Sequence, residues 1–239
     1  MIGLIDTHFH LDMYKDYMEK YKYITENGQY TLCMTNSPGV FLSCKNMFWD
    51  SKYVKFALGL HPLNDKMQES DLRDLFHLLS DTQYVGEIGL DFSKKSKVDK
   101  ETQLKFFERI VKVCATKEKI MSIHIRGAEQ EALDILEKYH PTRCIIHWFT
   151  GNQDVLQKFL NIGCYFSINA NMVLQNTEMI MNIPKSRILI ESDGPYSKVN
   201  GKKYSPEMLK DEYEIIAKAL KEPDLIKIVW DNFARILIQ

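Results

Sequence analysis

The sequence has no apolar run approaching membrane-spanning length, no C-x-x-C pair and almost no net charge. Each absence excludes a class. Thirty-one Lys and Arg balance 32 Asp and Glu to a net charge of −1, so the chain carries no polybasic footprint, and a nucleic-acid substrate would have to be held locally. The five cysteines (Cys33, Cys44, Cys114, Cys144 and Cys164) are odd in number and widely spaced. They read as reduced, mostly buried thiols rather than a disulfide framework. The first residues lack a basic region followed by a long apolar one, so no signal peptide is expected, and the expected location is the cytoplasm. Repeats, low-complexity tracts and flexible linkers are also missing. With 45% apolar and 26% charged residues, 239 residues suit one globular domain spanning 1–239.

What is present is an alternation. Short apolar segments predict strands at 2–7, 30–35, 54–60, 84–88, 119–124, 143–147, 163–168 and 187–192. Helical spacing falls between them, at 12–26, 71–79, 99–117, 128–139, 155–160, 207–220 and 224–238. Eight strands with intervening helices indicate an α/β fold, a (β/α)₈ TIM barrel. Sites on that fold lie at the C-terminal ends of the strands. The loop over 195–205, with Gly201, Lys202 and Lys203, is expected to be the most mobile segment.

Several of those ends carry metal-ligating residue types. His8 and His10 project to one side of the first strand, because side chains at i and i+2 share a face. Four further strands lead into Glu87, His124, His147 and Asp193. Four imidazoles and two carboxylates exceed the needs of one divalent ion. Two ions sharing a bridging carboxylate use all six and leave room for water and substrate. Each residue has a plainer reading. Glu87 could be a buried ion-pair partner, His124 a partner of Arg126, His147 a histidine packed among Trp148 and Phe149, and Asp193 a turn former. That all four plain readings hold at once, at matching strand ends, is the weaker account. Of the remaining histidines, His61 ends the third strand. It reads either as a substrate-side group that contacts a phosphate oxygen or assists proton transfer, or as a hydrogen-bonded rim histidine. His77, in a helix, and His140, before Pro141, read as structural or exposed.

The motifs resemble those of the TatD family of metal-dependent deoxyribonucleases, in the amidohydrolase-like barrel superfamily. The carrying segments are Ile5-Asp6-Thr7-His8-Phe9-His10-Leu11-Asp12, Gly59-Leu60-His61-Pro62, Val85-Gly86-Glu87-Ile88-Gly89-Leu90-Asp91, Ser122-Ile123-His124-Ile125-Arg126, Ile146-His147-Trp148-Phe149-Thr150-Gly151 and Glu191-Ser192-Asp193-Gly194-Pro195-Tyr196. They occur in the family's order over 5–196, and Asn232-Phe233-Ala234-Arg235-Ile236-Leu237 near the end is also similar. Trp148, Gly194 and Cys164-Tyr165-Phe166-Ser167 look closest to TatD-like nucleases of bacterial Qat anti-phage cassettes. The resemblance implies a metallo-dependent hydrolase barrel. It implies that His8, His10 and Asp193 hold one ion, His124 and His147 the second, and that Glu87 bridges them. It also implies that His61 faces the substrate phosphate. Where typical members carry an Arg-Asn-Glu-Pro-like segment, this chain has Gly201-Lys202-Lys203-Tyr204-Ser205-Pro206.

The activity so implied is hydrolysis of DNA phosphodiesters, expected on single strands and from an end, within anti-phage defence and beside partner proteins of a cassette. Asp193 is the expected base, and Glu87 and His61 complete the catalytic set. Magnesium or manganese is expected in cells, and zinc or nickel as ions found bound. Two rivals are a small-molecule hydrolase of the same superfamily and a partner-binding subunit with a vestigial site. A glutamate where many such barrels use a carbamylated lysine disfavours the first, and an intact ligand set disfavours the second.

Overall fold

The computed structural model describes residues 3–238. Ile2, the first residue of the expected strand over 2–7, lies outside them. Eight parallel strands alternate with helices: β1 (Ile5–Phe9), α1 (Tyr17–Glu26), β2 (Tyr30–Cys33), α2 (Pro38–Met47), β3 (Val54–Phe56), α3 (Glu69–Leu78), β4 (Tyr84–Asp91), α4 (Lys100–Thr116), β5 (Ile120–Arg126), α5 (Glu129–Tyr139), β6 (Cys144–His147), α6 (Gln153–Asn161), β7 (Tyr165–Ile168), α7 (Ala170–Gln175), α8 (Thr177–Met181) and β8 (Ile188–Ile190). A short antiparallel hairpin, β9 (Lys198–Val199) and β10 (Lys202–Lys203), precedes α9 (Leu209–Leu220) and α10 (Leu225–Ile238).

The strands pair in chain order as β1-β2-β3 and β4-β5-β6-β7-β8. Two junctions close the ring. Leu58 bridges to Val85, with Leu60 N–H donating to Glu87 O at 3.0 Å. At the other junction Thr7 Oγ1 donates to Ile190 O at 2.9 Å, and Asp193 N–H to His8 O at 2.8 Å. The result is the expected (β/α)₈ barrel. Strand residues such as Ile5, Val85, Ile123, Ile145 and Leu189 are buried, as are the apolar faces of the helices that pack around the strands.

Local sequence accounts for the boundaries. Asp99 caps α4 by accepting from Thr102 N–H at 2.8 Å, and Asn152 caps α6 by accepting from Val155 N–H at 3.0 Å. Of the helix expected over 12–26, only Tyr17–Glu26 is α-helical, and a single 3-10 turn occupies Leu11–Met13. Three helices were not anticipated. α2 begins with Pro38-Gly39, residues that ordinarily break structure; here Ser37 is the N-cap and Pro38 takes the first turn, where a missing N–H costs nothing. α7 and α8 are short and are capped by Asn169 and Asn176. The segment expected to be the most mobile contains a hairpin turning at Asn200-Gly201, both at positive φ (51° and 77°), which suits a two-residue hairpin turn.

Candidate metal centre

The barrel brings all six expected ligand residues to one end. His8 lies in β1 and His10 one residue past it, Glu87 in β4, His124 in β5, His147 at the end of β6 and Asp193 three residues after β8. Five are buried and His124 is partly buried. His8 and Glu87 both sit where strand register is interrupted, between Asp6 and Phe9 and between Val85 and Ile88. Such irregularities re-aim side chains out of the strict alternation. Asp193 (φ 48°) and Trp148 (φ 40°), the latter directly after His147, occupy the left-handed region that non-glycine residues avoid. The glycine after Asp193 is required by space: a Cβ on Gly194 would lie 2.4 Å from Tyr204 Cδ1 and 2.6 Å from the Tyr14 hydroxyl.

Glu87 is the hub. Its Oε2 lies 3.2 Å from His10 Nε2 and 3.5 Å from His8 Nε2. The Oδ1 of Asp193 joins the same group, 3.5 Å from His10 Nε2 and 3.8 Å from His8 Nε2, and the two imidazole nitrogens are 3.1 Å apart. The other oxygen, Oε1, faces the opposite group: His124 Nδ1 at 2.9 Å, His61 Nε2 at 3.0 Å and His147 Nε2 at 3.4 Å. Donor atoms that share one ion at about 2.0–2.2 Å stand roughly 3.0–3.5 Å apart in tetrahedral geometry. The separations run from 2.9 to 3.8 Å, close to that spacing, and His8, His10 and Asp193 on one side and His61, Glu87 and His124 on the other bring donor atoms within 4.8 Å of one another, so the residues fit divalent ions. Neutral imidazole nitrogens with carboxylate oxygens are also the donor chemistry of such sites.

Within the cluster, opposite charges compensate one another. Burial would raise the Glu87 carboxyl, but the His61, His10, His124 and His147 rings outweigh it and hold Glu87 well below the carboxylate range. Burial lowers His10, yet Asp193 and Glu87 carry it up to about 10. His147 is likewise driven upward against burial by Glu191 and Glu87, and His124 by Asp91 and Glu87. His8 moves down, because burial and the His147 ring stacked on it at 3.8 Å both oppose charge.

Sequence reasoning missed a layer behind the expected ligands. Glu191, fully buried, accepts from His147 Nδ1 at 3.1 Å, from Asn169 Nδ2 at 3.1 Å and from Ser167 Oγ. Asp91 Oδ2 meets His124 Nε2 at 3.0 Å, and Ser122 Oγ meets His8 Nδ1 at 2.9 Å. Asp6 accepts from Ser192 N–H at 2.9 Å, from Ser192 Oγ at 2.6 Å and from His8 N–H at 3.2 Å, pinning β1 to the Asp193 segment. Burial, opposed by those Ser192 bonds, lifts the Asp6 carboxyl to about 7. Period 2 was the available signal: Asp91 follows Glu87 by four, Glu191 precedes Asp193 by two and Ser122 precedes His124 by two.

Other expectations sort cleanly. His77 and His140 are exposed and remote from the cluster, and His140 ends α5 at φ 47°. Phe149 packs against Phe159 and Phe166 in the core and is unavailable to a substrate, whereas Trp148 is only partly buried. Tyr196 is 58% exposed, with its ring edge-on to His10 at 5.4 Å. All five cysteines are free and buried. Among the described residues no helix is long and apolar enough to cross a membrane.

Residues 5–238 match the model of the TatD related DNase family. The chain belongs to this family. An uncharacterized metal-dependent hydrolase of Escherichia coli, YcfH, is 28% identical over 253 residues, covering 98% of this chain and 95% of that protein. The human 3'-5' RNA nuclease TATDN2 is 30% identical over 223 residues, which cover 81% of this chain and 28% of the human protein. A deoxyribonuclease Tat-D of Schizosaccharomyces pombe is 31% identical over 119 residues, 48% of this chain and 38% of that protein. Among solved structures, the TatD homologue YJJV of Escherichia coli superposes with a TM-score of 0.86 at 20% identity, over 99% of this chain and 98% of that one. An uncharacterized amidohydrolase of Saccharomyces cerevisiae superposes with 0.82 at 17%, over 99% and 100%. Like these relatives, the TatD-family chain described here is a metal-dependent hydrolase of the TIM-barrel type.

Proposed function

We propose that the protein hydrolyses phosphodiester bonds of DNA, single strands in preference to duplex, working from an end. The observation that carries the reading is the two-sided carboxylate of Glu87, with one oxygen toward His8, His10 and Asp193 and the other toward His124 and His147. His8, His10 and Asp193 would hold one divalent ion, His124 and His147 a second, and Glu87 both. Magnesium or manganese is the proposed cellular pair, with zinc or nickel as alternatives. Bound there, divalent ions supply Lewis acidity toward a phosphodiester oxygen and lower the pKa of an attacking water.

The chain's own residues supply the rest. Asp193 is the proposed base, its Oδ1 turned into the cluster beside both β1 imidazoles. The Nδ1 of His61 accepts from Leu63 N–H at 3.0 Å, so a neutral His61 carries its proton on Nε2, the atom that faces the site. That N–H is placed to donate to a phosphate oxygen as charge grows there.

Three surface features support a polymeric, single-stranded substrate. Tyr196 offers an exposed ring at the rim, where a base can stack; stacking contributes about 1–3 kcal/mol per base. Lys198 and Lys203 stand directly opposite each other on the β9–β10 hairpin, both exposed and neither in an ion pair among the described residues. Like charges so paired destabilise a hairpin, and an anionic backbone lying across them would relieve that cost. With a net charge of −1, the protein otherwise has little to hold a duplex. The nucleic-acid activities named for the human and fission-yeast relatives agree with this substrate class. The motif likeness to Qat-cassette nucleases supports a cytoplasmic role in anti-phage defence with partner proteins. Plating phage on cells carrying the cassette with the native chain or Asp193→Asn tests that role.

Digestion of end-labelled single- and double-stranded DNA and RNA with added magnesium, manganese or zinc tests the activity, with Asp193→Asn as control. Stepwise shortening of single-stranded DNA is expected. Equal rates on duplex would overturn the strand preference. Turnover of a small ester or amide, with no nucleic acid cut, would overturn the proposed substrate.

A further inference from the structure

The His124 and His147 rings approach Glu87 through different nitrogens. His124 turns Nδ1 to Glu87 and Nε2 to Asp91, at 2.9 and 3.0 Å. His147 does the reverse, with Nε2 toward Glu87 at 3.4 Å and Nδ1 toward Glu191 at 3.1 Å. A neutral imidazole has one N–H and one lone pair, and a metal takes the lone pair. An ionised carboxylate only accepts, so the nitrogen facing Asp91 or Glu191 must carry the hydrogen. Glu87 faces the other nitrogen of each ring, so that nitrogen offers a lone pair where an ion held with Glu87 takes the place of its hydrogen.

We propose that Asp91 and Glu191 are positioning residues that lock His124 and His147 into opposite tautomers, His124 with its proton on Nε2 and His147 with its proton on Nδ1. This rests on the reading above, in which the two histidines hold a divalent ion. Both carboxylates are themselves fixed. Asp91 Oδ1 accepts from Ser93 N–H at 2.8 Å. Gln103 of α4 clamps the Asp91 backbone, accepting from its N–H at 2.8 Å and donating to its carbonyl at 3.0 Å. Glu191 is held by Ser167 and Asn169 from the β7 end. The β1 pair has no such support. His8 Nδ1 meets only the Ser122 hydroxyl, and His10 Nδ1 is buried with no partner among the described residues. A carboxylate behind an imidazole raises its basicity as a ligand. The His124–His147 end is therefore the one whose metal affinity depends on outer carboxylates.

The test uses the full chain with 15N-labelled histidine, with and without zinc. Long-range 1H–15N spectra assign the protonated nitrogen of each ring, and chelator competition gives zinc affinity. Native protein is expected to show His124 protonated at Nε2 and His147 at Nδ1 when loaded. Asp91→Ala is expected to weaken zinc binding by about 10–100-fold and to scramble the His124 tautomer while leaving His147 unchanged. Asp91→Asn keeps one acceptor oxygen for two donors, the Ser93 N–H and the His124 Nε2–H, and is expected to lose less affinity than Asp91→Ala, which separates positioning from loss of fold. Glu191→Ala and Glu191→Gln repeat the pattern at His147. Native-like zinc affinity in both alanine variants, or one shared tautomer in the native rings, overturns the positioning role while leaving the ligand assignment standing. A native protein that binds no zinc overturns the ligand assignment, and this inference with it.

Discussion

Replacing His61 with alanine should slow the reaction without releasing metal. The ring is 8% exposed and is held from both sides, with Leu63 N–H donating to Nδ1 and Glu87 Oε1 lying 3.0 Å from Nε2. That arrangement makes Nε2 a donor, and a nitrogen carrying a hydrogen cannot ligate an ion. Three other imidazoles, those of His10, His124 and His147, remain within 3.4 Å of Glu87 in the variant, so the centre keeps its partners. One oriented donor lost from the transition state costs about 2.7–4 kcal/mol, or roughly 10²–10³ in kcat. His61→Gln, whose amide can still donate, should recover part of the loss. Steady-state kinetics on a single-stranded oligonucleotide, with elemental analysis of the same samples, measures both quantities. Metal lost together with activity would make His61 a ligand and refute the donor argument. A kcat within threefold of native would leave it as a rim histidine.

Glu87→Ala should lower the metal content of purified protein from near two ions per chain further than any other single ligand change, because both of its oxygens are engaged; elemental analysis of the six alanine variants ranks them, and a larger loss elsewhere refutes the bridging role. Glu212 gives a pH effect on stability: burial lifts its carboxyl to about 8, against the Ala170 N–H that donates to it and with the Asp6 and Glu191 charges adding, while its second oxygen has no partner among the described residues. Between its ordinary pKa of about 4.5 and about 8 the folded chain keeps a proton that the unfolded chain has released, so stability falls as pH rises through that window, by about 1.4 kcal/mol per unit. Glu212→Gln escapes that loss, and its advantage in thermal midpoint should grow from pH 5 to pH 8; parallel melting curves would contradict it. Removing Lys198 and Lys203 together should reduce the salt dependence of single-strand binding by about 0.7 in log–log slope per lysine and leave hydrolysis of a small chromogenic phosphodiester unchanged; an unaltered slope would detach the hairpin from the substrate.

Much of the site was readable because its residues are anomalies. A carboxylate or imidazole at the end of a buried apolar strand is costly unless something binds it, so Glu87, His124 and His147 announce themselves. Their supporting residues do not. Asp91, Glu191 and Ser122 sit in the same strand ends, where a second polar residue looks like the start of a loop. Only the alternation of strand faces, followed in both directions from each ligand, puts them on the ligand side. The barrel was legible from the rhythm of its elements. Less so was α2, because Ser-Pro-Gly reads as a turn until Ser37 is seen as a cap. The β9–β10 hairpin was passed over because its flanking pairs are too short to alternate, although Asn200-Gly201 is a strong turn signal. Phe149 shows that sequence adjacency to His147 says nothing about facing: His147 reaches Glu87 in the centre, whereas Phe149 packs against Phe166 in the core.

The junction between β1 and β8 has a consequence for how activity is acquired. His8 and His10 are made first and Asp193 far later, and the contact that joins them, Asp6 to Ser192, spans 186 positions of chain. A growing polypeptide can pair each new strand with the one before it from β1 to β3 and from β4 to β8, yet half of the centre does not exist until the ring shuts. An unfinished chain therefore carries His8, His10, Glu87, His124 and His147 without the carboxylate proposed as base. Closure of the barrel and completion of the candidate centre are therefore a single event.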